Sequence, residues 1–300
     1  MMIYNAVRLT IGEQQFEGLR VEFDIERATS LYARAILSVY NMSKESYDAL
    51  KYNALSVVEI LTEAGWQKLF TGSFRLQQMR KNGGDTIVTV HLFESVTDYK
   101  QKFSFSLDEG ATGNDVIKHF KDEMPTLDFI ISDEAQSKID GLTFPGGYTS
   151  LVGSYYDLLI DFIKDHIGKD FEPYFDNSKV VIGVTSKTPI DINVGTGMIG
   201  SPEYYKIIAG KSGRSEFRGT VLHRLLPSVS IYDVINIKSE YFIVSNADVI
   251  NRTGGFSAEE YENIKRPGNG LYIAKKINHR GDTHGNTWET KIEFIGKQSD

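Results

Sequence analysis

The 300-residue chain has no cysteine, and this excludes disulfide staples, thiolate metal clusters and cysteine nucleophiles. It has only seven prolines and no Gly/Ser linker, so any domains are expected to be joined closely rather than tethered. No stretch approaches the roughly 20 apolar residues of a membrane-spanning helix. The opening Met1-Met2-Ile3-Tyr4-Asn5 lacks the basic region of a signal peptide, so synthesis in a reducing cytoplasm is expected. A concentrated basic face is missing too: the formal net charge is −7, which argues against a nucleic-acid binder.

What is present is ordinary globular material. Hydrophobic residues make up 41% and charged residues 24%, so the chain can build a core. Its 17 Phe and 16 Tyr lean towards β structure, because aromatic side chains suit a pleated surface.

The first third alternates with period two. Val7, Leu9 and Ile11 share a face, then Leu19, Val21, Phe23 and Ile25, then Ala33, Ala35, Leu37 and Val39. Such alternation predicts strands with one face in a core. Ser43 is placed to cap a short helix over Lys44–Tyr52. Strands are expected again over Ser56–Thr62, Trp66–Met79 and Thr86–Phe93, with turns at Ala64-Gly65 and Lys81-Asn82-Gly83-Gly84-Asp85.

The middle changes period. Thr112-Gly113-Asn114-Asp115 resembles a capping box, and Val116, Ile117, Phe120 and Met124 form a helical stripe. A second helix is expected over Ser154–Ile167 with Gly168 beyond its end, followed by a hairpin over Phe171–Val184. The last third returns to strands: Tyr204–Ala209, Gly219–Leu226, Val234–Ile237, Tyr241–Ala247, Leu271–His279 and Thr287–Ile295, with an exposed loop over Arg252–Asn269. The fold class is therefore mainly β (α+β): two similar β-barrel domains, residues 1–107 and 191–300, separated by a small α/β segment, residues 108–190. An internal echo supports the similarity. Thr86, Thr89 and Phe93 keep the spacing of Thr287, Thr290 and Phe294, and Leu69-Phe70 stands where Leu271-Tyr272 does.

A search for chemistry comes out empty. Gly195-Thr196-Gly197-Met198-Ile199-Gly200 spells a dinucleotide fingerprint, but Pro202 follows at once and no room is left for the helix that would face a pyrophosphate. His279, Asp282 and His284 straddle a turn without a further ligand nearby, and Arg280-Gly281-Asp282 is a three-letter coincidence. The acidic pairs Asp108-Glu109, Asp122-Glu123 and Glu259-Glu260 are explained by solvation. Gly-x-Ser-x-Gly is absent. No catalytic, cofactor or metal residue is expected. The one candidate surface is the first long hairpin, where Lys68, Arg75, Arg80 and Lys81 make an acidic chain locally basic, either as solvated charge or as a docking face.

Three passages carry a resemblance. They are Phe23–Glu26 leading to Ala33–Ser43 with Ala64-Gly65-Trp66 and Leu69–Gly72; then Gly197–Pro202 with Gly219-Thr220-Val221 and Leu225–Val229; then His279–Thr283 with Trp288-Glu289-Thr290. In this order they are similar to the baseplate hub proteins of tailed phages, whose relatives include the spike proteins of type VI secretion. One departure is Phe93-Glu94-Ser95, where relatives often carry Asp-Gly after the first barrel's last strand. The resemblance implies a structural virion protein rather than an enzyme: a homotrimer that adapts a six-fold tail tube to a three-fold spike and leaves a lumen for DNA. The partners it implies are the tail tube protein, the spike protein, other baseplate proteins and the tape-measure protein. Another tail barrel protein, such as a tube or distal tail component, is the alternative, ahead of a cell-wall-degrading or glycan-binding tail protein.

Overall fold

Alternating sequence becomes sheet wherever turn chemistry lets the chain reverse, and the computed structural model shows where it does. Residues 5–28, 31–94, 102–125, 127–171, 173–176, 179–183, 188–208, 215–245 and 268–296 are described. The protein is mainly β and divides into two compact units, residues 1–25 with 29–185, and residues 26–28 with 186–300.

The first unit begins with β1 (Val7–Ile11), β2 (Gln14–Glu17), β3 (Val21–Ala28), β4 (Leu31–Tyr40), α1 (Lys44–Asp48), β5 (Leu55–Thr62), β6 (Gly65–Asn82) and β7 (Asp85–Phe93). The sheet order is β2-β1-β5-β6-β7-β4-β3. The alternating residues read from the sequence are its core: Val7, Leu9, Ile11, Val21, Phe23, Ile25, Ala33, Ala35, Leu37 and Val39 are all buried. Helix α1 is shorter than expected. Ser43 accepts a hydrogen bond from the Ser46 amide, but the helix stops at Asp48. The cause lies downstream. Asn53 must take a positive φ of 64° so that its amide reaches the Phe74 carbonyl, and the chain has to unwind to get there. Asn41, at φ 58°, clasps the hairpin between β6 and β7, accepting from the Thr86 amide at 3.0 Å and donating to Asp85 at 3.0 Å.

Residues 102–112 run back along 143–154 in three two-residue ladders that close off the α/β segment. Inside it lie α2 (Gly113–Glu123), β8 (Asp128–Ile131), α3 (Asp133–Asp140), α4 (Tyr155–Phe162), β9 (Tyr174–Asp176) and β10 (Lys179–Ile182). The Thr112/Asp115 capping box is present, and Val116, Ile117, Phe120 and Met124 pack with Leu158, Leu159, Phe162 and Ile163 in one apolar cluster. The expected helix to Ile167 holds its length, but its last turn, Ile163–Ile167, widens to a π-turn ending at Gly168, φ 132°. Helix α3 and the parallel pairing of β8 with β10 were not read from the sequence. Only Ala135 and Ile139 of α3 are buried, too few to make a stripe.

The second unit contains β11 (Ile190–Ile192), β12 (Met198–Ile208), β13 (Ser215–Arg224), β14 (Val234–Ile237), β15 (Ile243–Ser245), β16 (Gly270–Asp282) and β17 (Trp288–Gly296). Its order is β16-β17-β13-β12-β15, with β14 beside β16 and β11 beside β14. The loop expected over Arg252–Asn269 lies, up to residue 267, outside the described residues.

The two units repeat one strand plan. The order β3-β4-β7-β6-β5-β1 in the first matches β12-β13-β17-β16-β14-β11 in the second. The match extends to individual rungs. Thr89 faces Ser38 and Gln78, and Thr290 faces His223 and His279. Phe93 faces Arg34 and Ser73, and Phe294 faces Gly219 and Ala274. The bulge in β6 falls between Phe74 and Leu76, and that in β16 between Ala274 and Lys276. The turn entering the fifth strand is also duplicated. The Asn53 amide donates to the Phe74 carbonyl while the Phe74 amide donates to Ala54, and Tyr232, Ala274 and Asp233 do the same. Tyr232 has φ 68° beside the 64° of Asn53, an uncommon conformation for a non-glycine residue. Two details differ. Counting from Ser73 and Ala274, Phe70 matches Leu271, so the expected Leu69-Phe70 echo is one rung out. Strand β11 pairs parallel to β14, whereas β1 pairs antiparallel to β5. Among the described residues no closed barrel is seen.

One rung of the second unit is a buried polar network. Arg27 donates to the Val229 carbonyl at 2.6 Å and lies 3.0 Å from His279 Nε2. A guanidinium only donates, so Nε2 accepts and the imidazole proton sits on Nδ1. Nδ1 then donates to Thr290 Oγ1 at 2.9 Å, and the same oxygen accepts from the Leu226 amide at 2.8 Å. His279 and Thr290 are fully buried. The equivalent rung of the first unit, Gln78 and Thr89, is exposed and half-buried.

Removing the buried acceptor strands two donors, each at about 1–3 kcal/mol. Thr290→Val is therefore expected to destabilise the protein by about 2–4 kcal/mol in urea unfolding, and Thr89→Val by no more than about 0.5 kcal/mol. Equal effects would contradict the assignment. Burial, with the Arg27 cation, holds His279 well below the ordinary histidine value of 6.5. The folded state then stays neutral there while the unfolded chain takes up a proton. Stability should fall as pH drops from about 7.5 to 5.5, and His279→Gln should flatten that slope in urea midpoints. An unchanged slope counts against it.

Candidate docking surface

Strand β6 is 18 residues long, far longer than its neighbours need. Strand β5 covers only Gly65–Ser73, and β7 covers the opposite edge over Ser73–Asn82. Beyond Phe74 the outer edge of β6 has no strand beside it among the described residues, and burial ends there as well. An open edge presents unpaired amides and carbonyls and is a template for another strand. Leu76 is 49% exposed and Met79 36%, and Arg80 and Lys81 project beside them without a carboxylate partner among the described residues. A concavity of about 570 Å³ opens on this edge, lined by Tyr47, Gln77, Gln78, Met79, Arg80 and Thr89.

The four basic residues singled out in the sequence do not form one patch. Lys68 stands opposite Glu59, twelve positions or roughly 40 Å along the strand from Arg80. Arg75 is half-buried, donates to Asn53 Oδ1 and to the Tyr52 hydroxyl at 3.4 Å, and lies 5.6 Å over the Tyr52 ring. Only Arg80 and Lys81 share the hairpin tip. Gln78, Met79 and Thr89, which line the concavity, do not stand out in the sequence as a surface. The available signal was Leu76-Gln77-Gln78-Met79, where apolar residues stop alternating although the strand continues.

The remaining candidates resolve into structure. Residues 193–198 form a tight turn in which the Asn193 carbonyl accepts from the amides of Thr196, Gly197 and Met198, and β12 rather than a helix follows. Gly197 has φ 115°, and a Cβ there would sit 3.2 Å from the His223 ring. His279 points into the buried network, while Asp282 accepts from the amide of exposed His284 at 2.9 Å, so these three share no site. Among the described residues no group of three potential metal ligands occurs. Glu123 accepts from the Tyr155 hydroxyl at 2.8 Å and Asp122 pairs with Lys118. Glu259-Glu260 lies outside the described residues. Glu94, at the departure from the family pattern, is buried and accepts from the Ala33 amide, tying the end of β7 to β4. A second concavity of about 540 Å³, in the second unit, is flanked by exposed Val194 and Tyr241. No helix of the described residues is long and apolar enough to cross a membrane.

No protein-family model matches the chain, and no curated protein matches it in sequence. Solved structures do match in fold. A 43 kDa tail protein of prophage MuSo2 from Shewanella oneidensis superposes with a TM-score of 0.60 at 12% identity, covering 97% of this chain and 96% of that one. A tail protein from Neisseria meningitidis MC58 gives 0.58 at 9% identity, with 97% and 96% covered. The E. coli c3393 protein gives 0.53 at 10% identity, with 97% and 77% covered; it is described as a type VI secretion component structurally similar to the T4 tail proteins gp27 and gp5. The fold of this chain is that of phage tail proteins and their type VI secretion counterparts.

Proposed function

We propose that this protein is the baseplate hub of a phage tail, a homotrimer that joins a six-fold tube to a three-fold spike. The observation that carries the reading is the duplicated strand plan, with matching rungs, adjacent bulges and the twin positive-φ turns at Asn53 and Tyr232. Two look-alike units per chain, copied three times, give six similar modules on one side of a ring and three chains on the other. On this reading each unit completes a barrel in the assembly. The tube protein meets the six modules, and the spike and other baseplate proteins meet the three-fold face. On this reading the protein acts by association rather than by turnover. DNA passes through the lumen, where a chain of net charge −7 does not hold phosphate.

The fold match to tail proteins over 97% of the chain supports this reading, as does the type VI relative likened to gp27 and gp5. Copy number tests it. Quantitative mass spectrometry of purified tails should find three chains per tail against six for each ring of tube protein. Six chains per tail would assign the protein to the tube or distal tail instead.

A further inference from the structure

The chain contains two Asn-Gly pairs, Asn82-Gly83 and Asn269-Gly270, and the structure treats them in opposite ways. An asparagine before glycine carries a latent reaction. Its side-chain carbonyl carbon lies one ring closure from the next backbone nitrogen, and glycine has no Cβ to obstruct the approach. How firmly the amide and that nitrogen are held decides the outcome. Asn269 is held: its Oδ1 accepts from the Ser239 amide at 2.7 Å, and Gly270 stands in register with Ile237 inside the sheet. Asn82 is the last residue of β6 and faces Asp85 across a two-residue turn. It is exposed, and its side chain makes no hydrogen bond among the described residues. The Asn41 clasp secures Asp85 and Thr86 and leaves Asn82 out. Gly83 has φ 61°, and its amide donates to no backbone carbonyl among the described residues. A Cβ built on Gly83 or Gly84 would meet nothing within 4 Å. The second pair is clamped and the first is free.

We infer that Asn82 is a site of spontaneous covalent modification, and that its conversion irreversibly changes the charge of the hairpin tip. The Gly83 nitrogen, after giving its proton to hydroxide, attacks Asn82 Cγ. The N–Cγ bond forms, the Cγ–Nδ2 bond breaks, and Nδ2 leaves as ammonia with a proton from water. The product is a five-membered imide closed through the backbone carbonyl carbon of Asn82. Water opens it at either carbonyl, giving aspartate or, with the chain running through Cγ, isoaspartate. No oxidant or reductant takes part. Arg80 and Lys81, close by in the chain, stabilise the nitrogen anion through which the attack proceeds. Either product is a carboxylate, so the net charge of residues 80–85 falls from +1 to zero. Isoaspartate also adds a carbon to the backbone, and a two-residue hairpin has no slack for it. Charge complementarity fixes register in assemblies, so a converted chain docks less well through this tip. The inference goes beyond the hub reading and stands whether or not that reading holds.

The test uses the purified chain, held warm in mildly alkaline buffer made with heavy-oxygen water and mapped at intervals by peptide mass spectrometry. Label should enter the peptide carrying Asn82 at least ~10-fold faster than the one carrying Asn269. The rate at Asn82 should rise with pH, and enzymatic carboxyl methylation should find isoaspartate there. In urea the two rates should converge, because only the shared dipeptide remains. Equal rates in the folded chain, or a difference that persists in urea, overturn the inference. Asn82→Gln, which would have to close a six-membered ring, should abolish the reaction without moving the urea midpoint; continued labelling of that peptide also overturns it. The effect on docking has its own arm. Tails assembled from equal amounts of wild-type and Asn82→Asp chains of matching urea midpoint should take up the variant at least ~3-fold less. Equal uptake overturns the docking effect. Copy number per tail is untouched by either result, so the hub reading stands or falls separately.

Discussion

A β-strand has two edges, and every backbone amide and carbonyl along them must find a partner, meet water or be guarded. The organisation of this protein follows from how that requirement is met. In each unit six strands lie in the same order. Besides the parallel pairing of β11, the accounting differs at one edge among the described residues: covered beside His279 in the second unit, without a strand beside Gln78 in the first. The side chains follow the backbone. Where the edge is covered, Arg27, His279 and Thr290 are buried and joined by hydrogen bonds. Where it is open, Gln78, Met79 and Arg80 are exposed and Thr89 is half-buried.

This contrast explains why sequence similarity between the halves is faint although their plans coincide. Conserving a strand order requires only alternation, a turn residue that tolerates positive φ and a bulge to release the twist. Asn53 and Tyr232 fill the same backbone role with unrelated side chains. Rungs facing different environments drift apart in chemistry, as Gln78 and His279 have. The same tolerance accounts for tail proteins at 9–12% identity superposing over nearly the whole chain.

Much of the fold was legible because alternation is a direct imprint of burial. Val21, Phe23, Ile25 and Ala33–Val39 were readable, as were the Ser43 cap and the Thr112/Asp115 box. Helix α3, with two buried residues, left too little periodic signal. The parallel β8–β10 pair joins residues about fifty positions apart, and a local reading cannot see such a partner. The docking surface was half-legible. Basic residues on the first hairpin drew notice, but strand pairing decides which of them share a place. Pairing separated Lys68 and Arg75 from Arg80 and Lys81 and brought in Gln78 and Thr89. The chemical candidates failed for a related reason: residues close in sequence part company, His279 buried within β16 and His284 exposed in the turn beyond it.

The central claim is geometric: a duplicated chain supplies alternate positions of a six-module collar. High-resolution imaging of the assembled tail without imposed symmetry tests it most directly. The account predicts a ring of six similar modules built from three chains. A ring of six chains, or three chains whose two units do not occupy equivalent positions, would contradict it.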